Sequence, residues 1–136
     1  MAASPVRSME GSLDNYPTFT ASQIRYIIYL YRLSHSENGV KNVELAEALG
    51  LSKPSVHTML KTVAARGVIS HEWFGRAYFT EEGHILARKY TVCYAILEQT
   101  ITALCGAETA CENAVCAQLA WMPQDKIDAL YNRKDS

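Results

Sequence analysis

The sequence predicts a mainly α-helical protein with one small β-hairpin: a winged helix-turn-helix followed by an α-helical dimerisation region. Two observations predict it. Apolar residues recur at helical spacing in three short stretches between residues 20 and 66. A β-branched and aromatic stretch with a glycine at its centre follows at 68–80. Three helices and then a hairpin is the order of a winged helix.

The elements are justified in turn. Residues 1–18 hold Pro5, Gly11, Asp14, Asn15 and Pro17 with little periodicity, and read as a mobile tail. Thr20 is an N-cap, and Ile24, Ile27, Ile28, Leu30 and Tyr31 give a helix over 20–34 its apolar face. Residues 35–39 are a loop. Asn42 caps a short helix from Val43 to Leu49, which Gly50 ends. Ser52 caps a third helix, with Pro54 in its first turn, running to about Arg66, and Gly67 stops it. The stretch 68–80 forms a hairpin turning near Phe74–Arg76, where Trp73, Phe74 and Tyr78 read as hairpin packing. Thr80, Glu81 and Glu82 open a long helix to about Leu104, with acids where the helix dipole favours them. A small-residue helix from Thr109 to about Ala120 and a last one from Gln124 to Tyr131 complete the chain. The predicted division is a tail at 1–18, a winged helix at 19–80 and the helical dimerisation region at 81–136.

Composition narrows the function. Hydrophobic residues make up 49% of the 136, which excludes global disorder. The net charge is only -1, but it is unevenly placed. From Phe19 to Thr80 seven bases face four acids; from Glu81 onward five bases face eight acids. A polyanion partner is therefore expected on the first part. No apolar run reaches membrane-spanning length and the first residues lack a secretory h-region, so a cytoplasmic protein with reduced cysteines is expected. Cys93, Cys105, Cys111 and Cys116 are not in CxxC pairs, a poor spacing for zinc.

The segment from Val43 to Leu60 carries the main motif. Two helices meeting steeply need a small residue at the contact, supplied by Ala46, and a left-handed turn residue four positions on, supplied by Gly50. Val56, Met59 and Leu60 face the first helix, and Leu45, Leu49 and Leu51 seal the pair. Lys53, Ser55, His57, Thr58 and Lys61 then point outward, as a helix in a DNA groove requires. The alternative is two ordinary packed helices with a polar surface. On the DNA reading, Ser52 and Ser55 donate to phosphates, and Lys53, Lys61 and Arg66 add charge. His57 and Thr58 reach base edges, and Pro54 touches a thymine methyl. Arg76 at the hairpin tip is the wing residue.

Several runs carry a family resemblance: Ile24–Leu30, Val43–Leu49, Ser52–Leu60, Gly67-Val-Ile, Phe79–Gly83, Ala87–Tyr90 and Met122-Pro-Gln-Asp. Over about 20–132 the chain resembles the diphtheria toxin repressor and manganese transport regulator family. The resemblance implies a homodimeric bacterial repressor whose later helices make the dimer and hold a divalent metal. It places the metal-ligand positions on Ser22, Arg25, Tyr90, Cys116, Leu119 and Ala120, of which only Cys116 is a ligand type. Two explanations stay open. The site has decayed into packing, or the cysteines have replaced it, with Cys93 and Cys116 as a thiol sensor or a soft-metal (zinc) pair. Exposed apolar residues, among them Ile101, Leu104, Leu119 and Trp121, are expected on the dimer face. No catalytic constellation emerges, and His84 beside Glu81 and Arg88 reads as a surface residue. A winged-helix protein-interaction adaptor is the competing function.

Overall fold

The computed structural model describes residues 19–34, 38–72 and 75–133. The tail at 1–18 and the packing of Trp73 and Phe74 lie outside the described residues. The chain order is α1 (Ala21–Leu33), β1 (Val40–Lys41), α2 (Asn42–Leu49), α3 (Lys53–Ala65), β2 (Ile69–His71), β3 (Arg76–Phe79), α4 (Glu81–Cys105), a 3-10 turn (Ala107–Thr109), α5 (Glu112–Trp121) and α6 (Gln124–Asn132). This is a winged helix with an appended α-helical layer.

Helix α1 begins in a capping box. Thr20 Oγ1 accepts from the Gln23 amide at 3.1 Å, and the Thr20 amide donates to Gln23 Oε1 at 2.9 Å. Its Ile24, Tyr26, Ile27, Ile28 and Leu30 are all buried. Helices α2, α4 and α5 all pack against it, so it lies at the middle of the molecule. One core cluster therefore runs from Val40, Leu45 and Val56 in the winged helix to Val115, Leu119 and Ile127 beyond it. Each fully buried aliphatic side chain contributes about 1.5–3 kcal/mol relative to exposure.

The sheet has three antiparallel strands in the order β1-β3-β2, pairing Val40 with Ala77, Lys41 with Arg76, and Ile69 with Phe79. The hairpin of β2 and β3 is the one expected, and Gly75 at φ 95° supplies its left-handed residue. The additional strand β1 was not expected. It ends where the Asn42 amide donates to the Gly75 carbonyl at 2.8 Å. That contact moves the start of α2: Lys41, not Asn42, is its N-cap. The Lys41 amide takes Glu44 Oε1 at 3.0 Å, while the Asn42 side chain turns to His71.

The long helix α4 is rooted on the wing by Thr80. Its amide donates to the Val68 carbonyl at 3.1 Å, and its Oγ1 donates to the Gly67 carbonyl at 2.7 Å and caps the Gly83 amide at 2.9 Å. Helix α5 starts at Glu112, not Thr109, because Ala107–Thr109 tightens into the 3-10 turn and the Thr109 hydroxyl bonds back to the Cys105 carbonyl. Leu119 is fully buried rather than on an exposed face, because its side of α5 packs into the common core. Leu104 and Trp121 do stand in solvent, 79% and 85% exposed, and Ile101 is half-buried.

Candidate nucleic-acid interface

The turn between α2 and α3 is built by hydrogen bonding. Gly50 adopts φ 70° and its amide reaches the Glu47 carbonyl, while the Leu51 amide reaches back to Ala46 at 3.0 Å. These two bonds close the end of α2 in a Schellman arrangement, which a β-carbon at Gly50 would strain. Ser52 then caps α3: its Oγ accepts from the Ser55 amide at 3.3 Å and donates to Ser55 Oγ at 2.9 Å. Val56, Leu60 and Val63 face inward. Ser52, Lys53, Pro54, Ser55, His57, Thr58 and Lys61 are all exposed. The structure thus brings the expected α3 residues onto one open surface, with two hydroxyls at the helix N-terminus where anions are favoured.

The wing meets this surface at His57, whose ring lies 5.2 Å from that of His71 on β2. His71 Nε2 is 3.2 Å from Asn42 Oδ1. Burial, then the nearby charges of His57 and Lys61, holds the His71 imidazole below the usual histidine range.

Arg76 is not at the hairpin tip. It is the first residue of β3, and its Nη1 donates to the Asn38 carbonyl at 2.9 Å. Directly across β1 stands the exposed Lys41. Like charges placed opposite one another cost stability in an isolated sheet and are relieved by a bound anion. Lys41 is the residue that sequence reasoning missed. Its only signal was a Val-Lys pair before a helix, too short to read as a strand. Arg66 is partly committed elsewhere, its guanidinium lying over the Phe19 ring at 4.3 Å. His84 is exposed as expected, and its ring also packs on Tyr31 and Phe79.

Residues 18–73 match the model of the iron dependent repressor, N-terminal DNA binding domain. Over that stretch the chain is similar to the DNA-binding domain of the iron-dependent repressors. Its fold is shared with solved structures. The hypothetical protein SSo2273 from Sulfolobus solfataricus is 20% identical with a TM-score of 0.57, over 85% of this chain and 88% of that one. IdeR of T. acidophilum is 13% identical with a TM-score of 0.59, over 83% of this chain and 54% of that one. The manganese regulator SloR is 18% identical with a TM-score of 0.62, over 83% and 53%. The chain spans about half the length of IdeR and SloR. No curated protein gives a significant sequence match.

The positions that the family resemblance assigns to a metal do not fit one. Ser22 is exposed on α1. Arg25 is a cation whose Nε donates to Glu112 Oε1. Tyr90 is buried edge-on against Phe19, and burial pushes its hydroxyl up to about 12. Leu119 lies in the core, and Ala120 has no donor atom. Among the described residues no three His, Cys, Asp or Glu side chains are grouped to hold an ion.

Cys93 and Cys116 are both buried but have different neighbours. Cys93 Sγ donates to the Ile127 carbonyl at 3.5 Å on α6, near Asp128 and Lys89. Cys116 lies one turn beyond Glu112 and feels Arg25 and Arg32. Burial pushes each thiol up to about 11, so neither is a thiolate at neutral pH. Among the described residues no helix is long and apolar enough to cross a membrane.

Proposed function

We propose that this protein is a cytoplasmic, homodimeric repressor that reads duplex DNA through α3 and the wing, without a divalent metal as its switch. The observation that carries the reading is the open face of α3, with Lys53, Ser55, His57, Thr58 and Lys61 exposed and the wing meeting it at His57 and His71; Lys41 and Arg76 pair on the same wing sheet. Ser52, Ser55, Lys53, Lys61 and Arg76 take phosphates. His57 and Thr58 read base edges, and Pro54 contacts a thymine methyl. The donor-poor metal positions support metal independence, because hard divalent ions need several oxygen or nitrogen ligands. The exposed Leu104 and Trp121 support a second copy of the chain on the C-terminal helices.

The test is binding to duplex DNA over a salt series in the presence of a chelator, with sedimentation on the same samples. The expected result is binding by a dimer, with affinity falling steeply as salt rises. Salt-insensitive or absent binding would favour a protein-interaction adaptor instead, and a strict monomer at micromolar concentration would refute the dimer.

A further inference from the structure

Arg25 occupies a junction that no DNA contact requires. It lies on α1. Its Nε donates to Glu112 Oε1 at 2.5 Å in the first turn of α5, and its Nη2 donates to the Leu49 carbonyl at 3.4 Å, the last residue of α2. Tyr29, one turn along α1, donates its hydroxyl to the other carboxylate oxygen, Glu112 Oε2. Arg32 lies over the rings of Tyr29 and Tyr94 at 5.7 and 5.3 Å, tying α1 to α4. The Arg25 and Glu112 side chains are 27% and 30% exposed, so water screens the pair only in part.

The position of Leu49 gives this cluster its meaning. The carbonyls of Ala46 and Glu47 are taken by the turn amides of Leu51 and Gly50. Leu49 is the last helical residue before that turn, and a cation on its carbonyl suits the negative end of the helix. The next residues are Gly50, which sets the turn, and Ser52, which starts α3.

We propose that Glu112 is a positioning residue for DNA recognition: it holds the Arg25 fork, and Arg25 holds the end of α2 from which α3 is aimed. This rests on the DNA-reading face described above. The C-terminal helices would then control the reading head through a permanent internal ion pair. A carboxylate that takes the guanidinium Nε on one oxygen and the phenol on the other is held at both oxygens, so its position, and with it that of the Arg25 Nε, is set by two helical residues one turn apart. Burial raises the Glu112 carboxyl, and the hydrogen bonds from Tyr29 and Arg25 with the charges of Arg25 and Arg32 more than reverse this. The net direction is downward, and the carboxylate is ionised at neutral pH.

The experiment compares the full chain with Glu112→Gln, Tyr29→Phe and the swap Arg25→Glu/Glu112→Arg. It reads duplex affinity by anisotropy in chelator and the amide shifts of Gly50 and Leu51 by NMR. Removing an acid by itself strengthens binding to a polyanion, so the sign is decisive. The proposal expects Glu112→Gln to weaken binding about five- to tenfold with the salt slope unchanged. The Gly50 and Leu51 amides should move, Tyr29→Phe should give a smaller change in the same direction, and the swap should recover part of the loss. Unchanged or tighter binding with unmoved amides overturns it. If the wild-type chain binds no duplex, the DNA reading fails, and the two amides still decide whether Glu112 is coupled to the turn. If Glu112→Gln does not fold, Tyr29→Phe, which keeps the ion pair, decides on both readouts.

Discussion

Replacing Gly83 by Ala should loosen the joint between the wing and the C-terminal helices. Gly83 is the third residue of α4, and a β-carbon there would stand 1.7 Å from the Val68 carbonyl oxygen and 2.6 Å from its carbon. Real β-carbons do not come within 3.0 Å, so the start of α4 and the Val68 backbone just before β2 must part by roughly 1.3 Å, the difference between 3.0 and 1.7 Å. The obstruction is backbone, so no side-chain rotation relieves it. Overpacking of this kind costs about 1–3 kcal/mol. The same carbonyl accepts from the Thr80 amide and hydroxyl, both at 3.1 Å, and weakening those bonds adds about 1 kcal/mol. Against this, alanine is the better helix former by about 1 kcal/mol. The net expected loss is about 1–3 kcal/mol, read as a lower urea midpoint at constant slope. An unchanged or raised midpoint would refute the reasoning, because helix propensity would then outweigh the contact with Val68.

Lys41→Ala should weaken duplex binding and reduce the salt slope by roughly one, as Arg76→Ala should, whereas His57→Ala should change sequence preference; salt titrations on two unrelated duplexes separate these outcomes. Alkylation at pH 8 followed by mass spectrometry should label the exposed Cys105 and Cys111 quickly, and Cys93 and Cys116 only on unfolding, since burial holds both of those thiols up at about 11. The lowered Glu112 pKa gives stability that is fully present above the unfolded value of 4.5 and is lost as pH falls through the folded value. Urea midpoints of wild type and Glu112→Gln should therefore differ at pH 7 and converge below pH 4.5. Calorimetry with manganese and ferrous iron should show no stoichiometric binding, and tight binding of either would overturn the metal-independent reading.

The parts of this fold that were legible are those fixed by local chemistry. Thr20, Ser52 and Thr80 each accept a backbone amide three residues on, and each marks a helix start read correctly from residue type alone. Gly50 marks the left-handed turn for the same reason. What was not legible depends on pairing across the chain. The strand β1 has two residues and no periodicity; it exists because β3 offers it a free edge. Its formation displaced the predicted cap from Asn42 to Lys41 and placed Lys41 beside Arg76. The 3-10 turn after Cys105 likewise follows from side-chain and backbone bonds that small residues do not advertise.

Arg25 shows how far a residue's meaning depends on its partner. In the sequence it is a cation at a position where the family resemblance expects a metal ligand, and so it reads as a loss. The partner that changes this reading is Glu112, a residue 87 positions away that no spacing rule singles out. An acid in the first turn of a helix has an ordinary reason to be there, the helix dipole. Only the packing of α5 on α1 reveals the second role, in which the carboxylate receives both Arg25 and Tyr29. A dication held by several side chains and a guanidinium held by one carboxylate both tie separate helices together through charge. They differ in what can remove them. A metal leaves when its free concentration falls, whereas an arginine leaves only when its helix moves or its carboxylate takes a proton. On the proposed reading, a regulator built on Arg25 and Glu112 would respond to whatever shifts α5, such as a partner seated on Trp121, and not to the supply of an ion.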